Sequence, residues 1–114
     1  MCGIAGIVGP SASAIDVAKM VARIDHRGPD GSRVFSRGSA CFGHAHLFIR
    51  GHQVQPVAGE DYIAVLNGQI YNLDEDAFAW AELVSEQGPD GALAGMEGMF
   101  SSAFYSEKVG LLMA

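Results

Sequence analysis

Positive charge is scarce in this chain. Seven of its 114 residues are Lys or Arg against thirteen Asp or Glu, giving a formal net charge of −6. Binding along a nucleic-acid backbone needs clustered cations, and no polybasic stretch is present, so nucleic acid is excluded as a partner. Long apolar runs are missing as well. No segment approaches the roughly 20 apolar residues needed to cross a bilayer, so no membrane partner is expected. The first residues lack a basic start and are broken by Gly3, Gly6, Gly9 and Pro10, which does not read as a secretory signal. Cysteine is reduced to two positions, Cys2 and Cys41. The sequence leaves a disulfide between them open. Without a secretory signal, two free thiols in a reducing compartment fit better, and a cytoplasmic location is expected.

What is present suits a single domain with a packed core. Apolar residues make up 49% and charged residues 18%, enough to bury a core and too apolar for long disorder. The stretch 2–8 predicts a buried strand closed by Gly9-Pro10. SASAIDVAKMVARI (11–24) predicts a helix, capped by Ser11 or Ser13, with Val17, Met20, Val21 and Ile24 at helical spacing. HRGPDG (26–31) predicts a loop, followed by short strands near 33–36 and 40–46 and an irregular region from 51 to 59. YIAVL (62–66) predicts a strand, and the Asn67-Gly68 after it is a strong hairpin-turn signal. The stretch 74–87 predicts a helix with acidic residues in its first turn and Ala77, Trp80, Ala81 and Val84 on one face, stopped by Gly88-Pro89. A short helix over 91–97 and a hairpin of two strands around Glu107-Lys108 complete the chain. The alternation of strands and helices predicts an α+β domain of layered, mainly antiparallel sheets.

Cys2 poses the chemical question. A cysteine opening a buried strand can be core filler. It can equally be a nucleophile whose base is its own α-amino group once Met1 is removed, because a thiol attacks as thiolate and an α-amino group titrates near pH 7.7–8.0. His44 and His46 share a strand face and raise a metal site as a minor possibility, but no third ligand stands at suitable spacing, so no metal is expected.

Four stretches in order, MCGIAGI, HRGPDG, LNGQIYN and GMEGMFSSAFY, resemble the glutaminase domain of asparagine synthetase, a class II glutamine amidotransferase domain of the N-terminal nucleophile hydrolase superfamily. The resemblance runs over essentially the whole chain. It implies a sandwich of two antiparallel sheets flanked by helices. It implies hydrolysis of glutamine to glutamate and ammonia through Cys2, with no cofactor, the ammonia passing to a separate ATP-using synthetase. It implies that Arg27 organises the site beside Cys2, and that the Asn67 amide and the Gly68 N–H form an oxyanion hole. The substrate-binding positions depart from the pattern. His46 stands where the family has a carboxylate-gripping arginine, and Arg50 is a candidate to compensate. Gln69 stands where the family has glutamate. Asp76 falls where an aspartate binds the substrate amino group, although it suits a first helical turn equally well.

The segment between LNGQIYN and Asp76 is shorter than in the family, and the chain ends where the family continues. The resemblance therefore implies one shortened domain over 1–114, with a separate synthetase subunit or self-association as partner. The alternative function is a non-catalytic homologue acting as a binding or regulatory module. A hydrolase acting on another small amide is a third reading.

Overall fold

The computed structural model describes residues 2–47, 54–74 and 76–114. Their elements run β1 (Gly3–Val8), α1 (Ala14–Arg23), a single 3₁₀ turn (Asp25–Arg27), β2 (Gly31–Arg37), β3 (Ala40–His46), β4 (Val57–Ala58), β5 (Tyr62–Ile70), α2 (Asp76–Leu93), β6 (Gly98–Ser106) and β7 (Gly110–Met113). The strands pair antiparallel in two sheets, ordered β1-β3-β2 and β4-β5-β6-β7. The α+β class expected from the sequence is what these elements form.

Side-chain alternation along the central strands sets the layering. On β3, Cys41 and Ala45 face α1 and meet its Val17 and Val21, with Ala5, Ile7 and Val34 around them. Ala40 and Phe42, on the opposite face of β3, meet Ile63 and Val65 of β5 between the sheets. Tyr62, Ala64, Leu66 and Ile70, on the far face of β5, pack with Phe104 against Ala77, Trp80, Ala81 and Val84 of α2. The order through the molecule is therefore helix, sheet, sheet, helix. α1 starts where Ser13, in extended conformation, accepts a hydrogen bond from Asp16 N. No helix among the described residues is long and apolar enough to cross a membrane.

Two expectations change. Asn67-Gly68 is not a hairpin turn. β5 runs on through it, with Asn67 opposite Ser101 and Gly68 opposite Phe100, and the chain reverses only after Ile70. There Tyr71 N donates to Glu97 O (2.6 Å) and Asn72 bonds Gly95 O and Glu97 N. The left-handed freedom of the dipeptide is used inside the strand, at Gly68 (φ +119°), because the ladder to β6 holds both sides of it. The second helix breaks at Gly88 (φ 78°, ψ 171°) before Pro89, as expected, but the segment beyond reaches only Leu93, since Gly98 already begins β6. The region read as irregular holds the short strand β4.

Candidate functional site

Both thiols are free. Cys41 is buried under α1. Cys2 stands just before β1, at one end of the sandwich. Its Sγ accepts from Leu47 N (3.3 Å) and lies 3.6 Å from Leu47 O. Gly3 pairs with Ala45, so one further step of the register sets Cys2 beside His46.

The HRGPDG loop is pressed against the same end of β3. Gly28 is buried, and a Cβ on it would overlap the backbone carbonyl of Ala45 and lie 2.5 Å from His46 N. Only glycine permits that approach. Gly28 N donates to Asp25 O and Asp30 N donates to His46 O, both at 3.0 Å, which fixes the loop. Arg27 is thereby brought to Cys2, where its Nε donates to the Cys2 carbonyl oxygen at 3.0 Å. Two motifs 25 residues apart thus meet in one hydrogen bond.

β5 supplies the opposite wall. Asn67 and Gln69 alternate with Leu66 and Ile70, so they share the face of Ile63 and Val65 that looks toward the first sheet. Asn67 Oδ1 is buried and has no hydrogen-bond partner among the described residues. An orphaned buried acceptor is costly unless something donates to it.

His44 and His46 lie between these walls, 1% and 5% exposed. Their Nδ1 atoms are 2.6 Å apart, and His44 Nε2 is 3.2 Å from Leu66 O. The Leu66 N–H is held in turn by buried Gln55, whose Oε1 accepts it at 2.6 Å. Both polar groups of the residue before Asn67 are therefore fixed by side chains. Burial, then the neighbouring His46, lowers His44 to about 4. Burial, then the Arg33 charge, lowers His46 as well. Both shifts favour the neutral ring over the charged one.

His44 makes acid stability testable. Its folded pKa lies below its unfolded value near 6.5, so the unfolded chain binds the proton more readily between about 4 and 6.5. Stability present above pH 6.5 is then expected to fall, by about 1.4 kcal/mol per pH unit at most, as pH drops through that window. His44→Phe should flatten this part of the profile in denaturant titrations. An unchanged slope would show that His44 is not its source.

The remaining positions separate. Arg50 lies outside the described residues. Asp76 accepts from Ile70 N (3.0 Å) and Ala77 N (2.9 Å), one oxygen each, and ties the end of β5 to the start of α2. No group of three or more His, Cys, Asp or Glu able to hold a metal occurs among the described residues. Three participants were missed in the sequence: His44 as a hydrogen-bonding residue, Gln55, and Arg33. Arg33 pairs with His44 across β2 and β3, on the face of Phe35, and its guanidinium stands 5.4 Å from the Phe35 ring centroid. The one available signal was the His-x-His spacing, which places both rings on one face without giving their separation.

At the end of β3 the arrangement joins a thiol to a guanidinium held on the carbonyl of the same residue. A family model described as a glutamine amidotransferase domain matches residues 1–77, which cover β1 through β5 and the turn into α2. Among curated proteins, the chain is 39% identical over 83 residues to an asparagine synthetase [glutamine-hydrolyzing] of Triphysaria versicolor, covering 66% of this chain and 14% of that protein. It is 32% identical over 123 aligned residues to the enzyme of that name from Asparagus officinalis, covering 89% of this chain and 21% of that protein. A Brassica oleracea protein of the same name is 35% identical over 83 residues, at 66% and 14% coverage. The chain thus spans about a fifth or less of these relatives. With more than half its length matched, the chain belongs to the glutamine amidotransferase domain family.

Proposed function

We propose that this chain is a glutaminase module of the asparagine synthetase type, built on an N-terminal nucleophile hydrolase fold. Removal of Met1 leaves Cys2 with a free α-amino group, which takes the thiol proton. The thiolate attacks the carboxamide carbon of glutamine, and the carbonyl oxygen becomes an oxyanion. The Asn67 side-chain N–H and the Gly68 backbone N–H stabilise it. The α-ammonium returns its proton to the leaving nitrogen, and ammonia departs from a thioester. Water, deprotonated by the same amine, then attacks that thioester and releases glutamate. Arg27 holds the Cys2 carbonyl and so fixes the main chain of the nucleophile.

The observation that carries this reading is the 3.0 Å bond from Arg27 Nε to the Cys2 carbonyl. Core filler gives no reason to steer an arginine to the main chain of a cysteine. The buried, unpartnered Asn67 Oδ1 adds support, because it suits a donor arriving on a ligand or on the freed Cys2 amine. His46 and Gln69 are proposed to contact the ligand, and the ammonia to serve a separate synthetase activity in a cytoplasmic setting. The non-catalytic alternative is not favoured, since the matched relatives are named as glutamine-hydrolysing.

The oxyanion assignment is tested by Asn67→Ala. Loss of one such donor is expected to lower kcat for ammonia release by about 10²–10³-fold, with KM little changed. A kcat within a few-fold of wild type, in a variant with unaltered melting, would remove Asn67 from the mechanism.

A further inference from the structure

Leu66 is held on an edge of β5 that its neighbouring strand has already left. β4 pairs with β5 only at Ile63 and Ala64. Carrying that register on would set Gln55 opposite Leu66, but β4 does not reach it. Two side chains stand in for the strand. Gln55 Oε1 accepts the Leu66 N–H at 2.6 Å. His44 reaches across from the other sheet, and its Nε2 meets Leu66 O at 3.2 Å. A carbonyl only accepts, so His44 is the donor. Gln55, His44 and Leu66 are all buried.

The N–H and C=O of a strand residue point to one edge, and those of the next residue to the other. Leu66 turns to the β4 edge, so Asn67 turns to β6, opposite Ser101. The alternation returns the Gly68 N–H to the β4 edge. Its direction is set by the peptide plane it shares with Asn67, and therefore by the chain just before it. Ile70 N is taken on that same edge by Asp76 at 3.0 Å. Gly68 thus stands between two residues whose main chain is tied by side chains. We propose that Gln55 and His44 are positioning residues of the oxyanion hole, clamping both polar groups of Leu66 so that the Asn67 amide and the Gly68 N–H project in donor geometry. The catalytic half of this rests on the glutaminase reading; the clamp itself does not. A strand fixed on the β6 side alone can tilt about that ladder, and a misplacement of about 1 Å in a site costs about a hundredfold in rate.

Amide hydrogen exchange on the full chain reads the clamp without turnover. Gln55→Met keeps the length of the side chain and removes the acceptor oxygen. The Leu66 N–H should then exchange at least about tenfold faster. Val65 and Asn67, which face β6, should stay as protected as in wild type. Unchanged protection of Leu66 overturns the clamp, and so does a loss spread evenly along β5.

Ammonia release from glutamine reads the consequence. Gln55→Met is expected to lower kcat at least about tenfold, with KM within about twofold of wild type. Gln55→Glu keeps an acceptor oxygen and should recover most of that loss. His44→Phe removes the donor to Leu66 O and should lower kcat in the same way. His44→Gln sets an amide N–H near the Nε2 position and should restore it. On the Asn67→Ala background, Gln55→Met should cost less than in wild type, because part of what it positions is gone. A raised KM with unchanged kcat, or a loss undiminished on that background, overturns the positioning role. Should Gln55→Met fail to fold, the His44 variants decide, since they break and restore the other bond of the same residue. Wild type that releases no ammonia counts against the glutaminase reading, and the exchange pattern still decides the clamp.

Discussion

Cys2→Ala is expected to lower ammonia release from glutamine by at least about 10³-fold, while Cys41→Ala leaves kcat near wild type. The two cysteines differ in surroundings, not in kind. Cys2 Sγ faces the end of β3 beside Leu47, with Arg27 anchored on the same residue. Cys41 is 1% exposed, wedged between β3 and α1 with Val17, Val21 and Ala45. A solvent-borne amide cannot reach it there, so its replacement should cost stability alone, about 1 kcal/mol for a small lost volume. Intact mass should show Met1 absent from the active form, since a retained methionine converts the proposed base into a non-basic amide. Equal activity losses in both variants would detach the chemistry from Cys2.

Gly68→Ala is expected to be the most damaging glycine substitution near the site. The residue has φ +119°, which an L side chain adopts only with strain. Space is lacking as well: a Cβ would overlap Met99 O and stand 2.6 Å from Phe100 Cα, both backbone atoms of the partner strand. Neither can yield without opening the β5–β6 ladder. Strain and overlap together should cost about 3 kcal/mol or more, a drop in Tm of roughly 10–20 °C for a chain of this size. Gly9→Ala is the control. Gly9 has φ +133° but nothing within 4 Å of the added atom, so it isolates strain, of order 1 kcal/mol. If the two variants melt together, the close approach of β6 to Gly68 is not a constraint.

The local signals in the sequence were sound where neighbours in the chain decide the structure. Ser13 caps α1 as the capping rule predicts, and Ala77, Trp80, Ala81 and Val84 line the buried side of α2 as their spacing predicts. They failed where a distant strand decides. Asn-Gly has the same local preference in a turn and in β5, and only the pairing with Ser101 and Phe100 chooses between them. The meeting of Arg27 with Cys2 depends on Gly28 lying against Ala45, a long-range fit that no spacing encodes. Arg33 went unnoticed for a related reason: its position beside His44 follows from the β2–β3 register. Asp76 was legible as a first-turn residue, and its bonds to Ile70 and Ala77 are those of a residue joining strand to helix.

The central claim is that Cys2, freed of Met1, hydrolyses a carboxamide at the site closed by Arg27, Asn67 and Gly68. Its most direct test is product formation by the purified chain whose intact mass shows Met1 removed, supplied with glutamine and, separately, with asparagine. Glutamate and ammonia in equal amounts from glutamine, little from asparagine and neither from Cys2→Ala is the expected result. Folded, correctly processed protein that releases no ammonia from glutamine would contradict it.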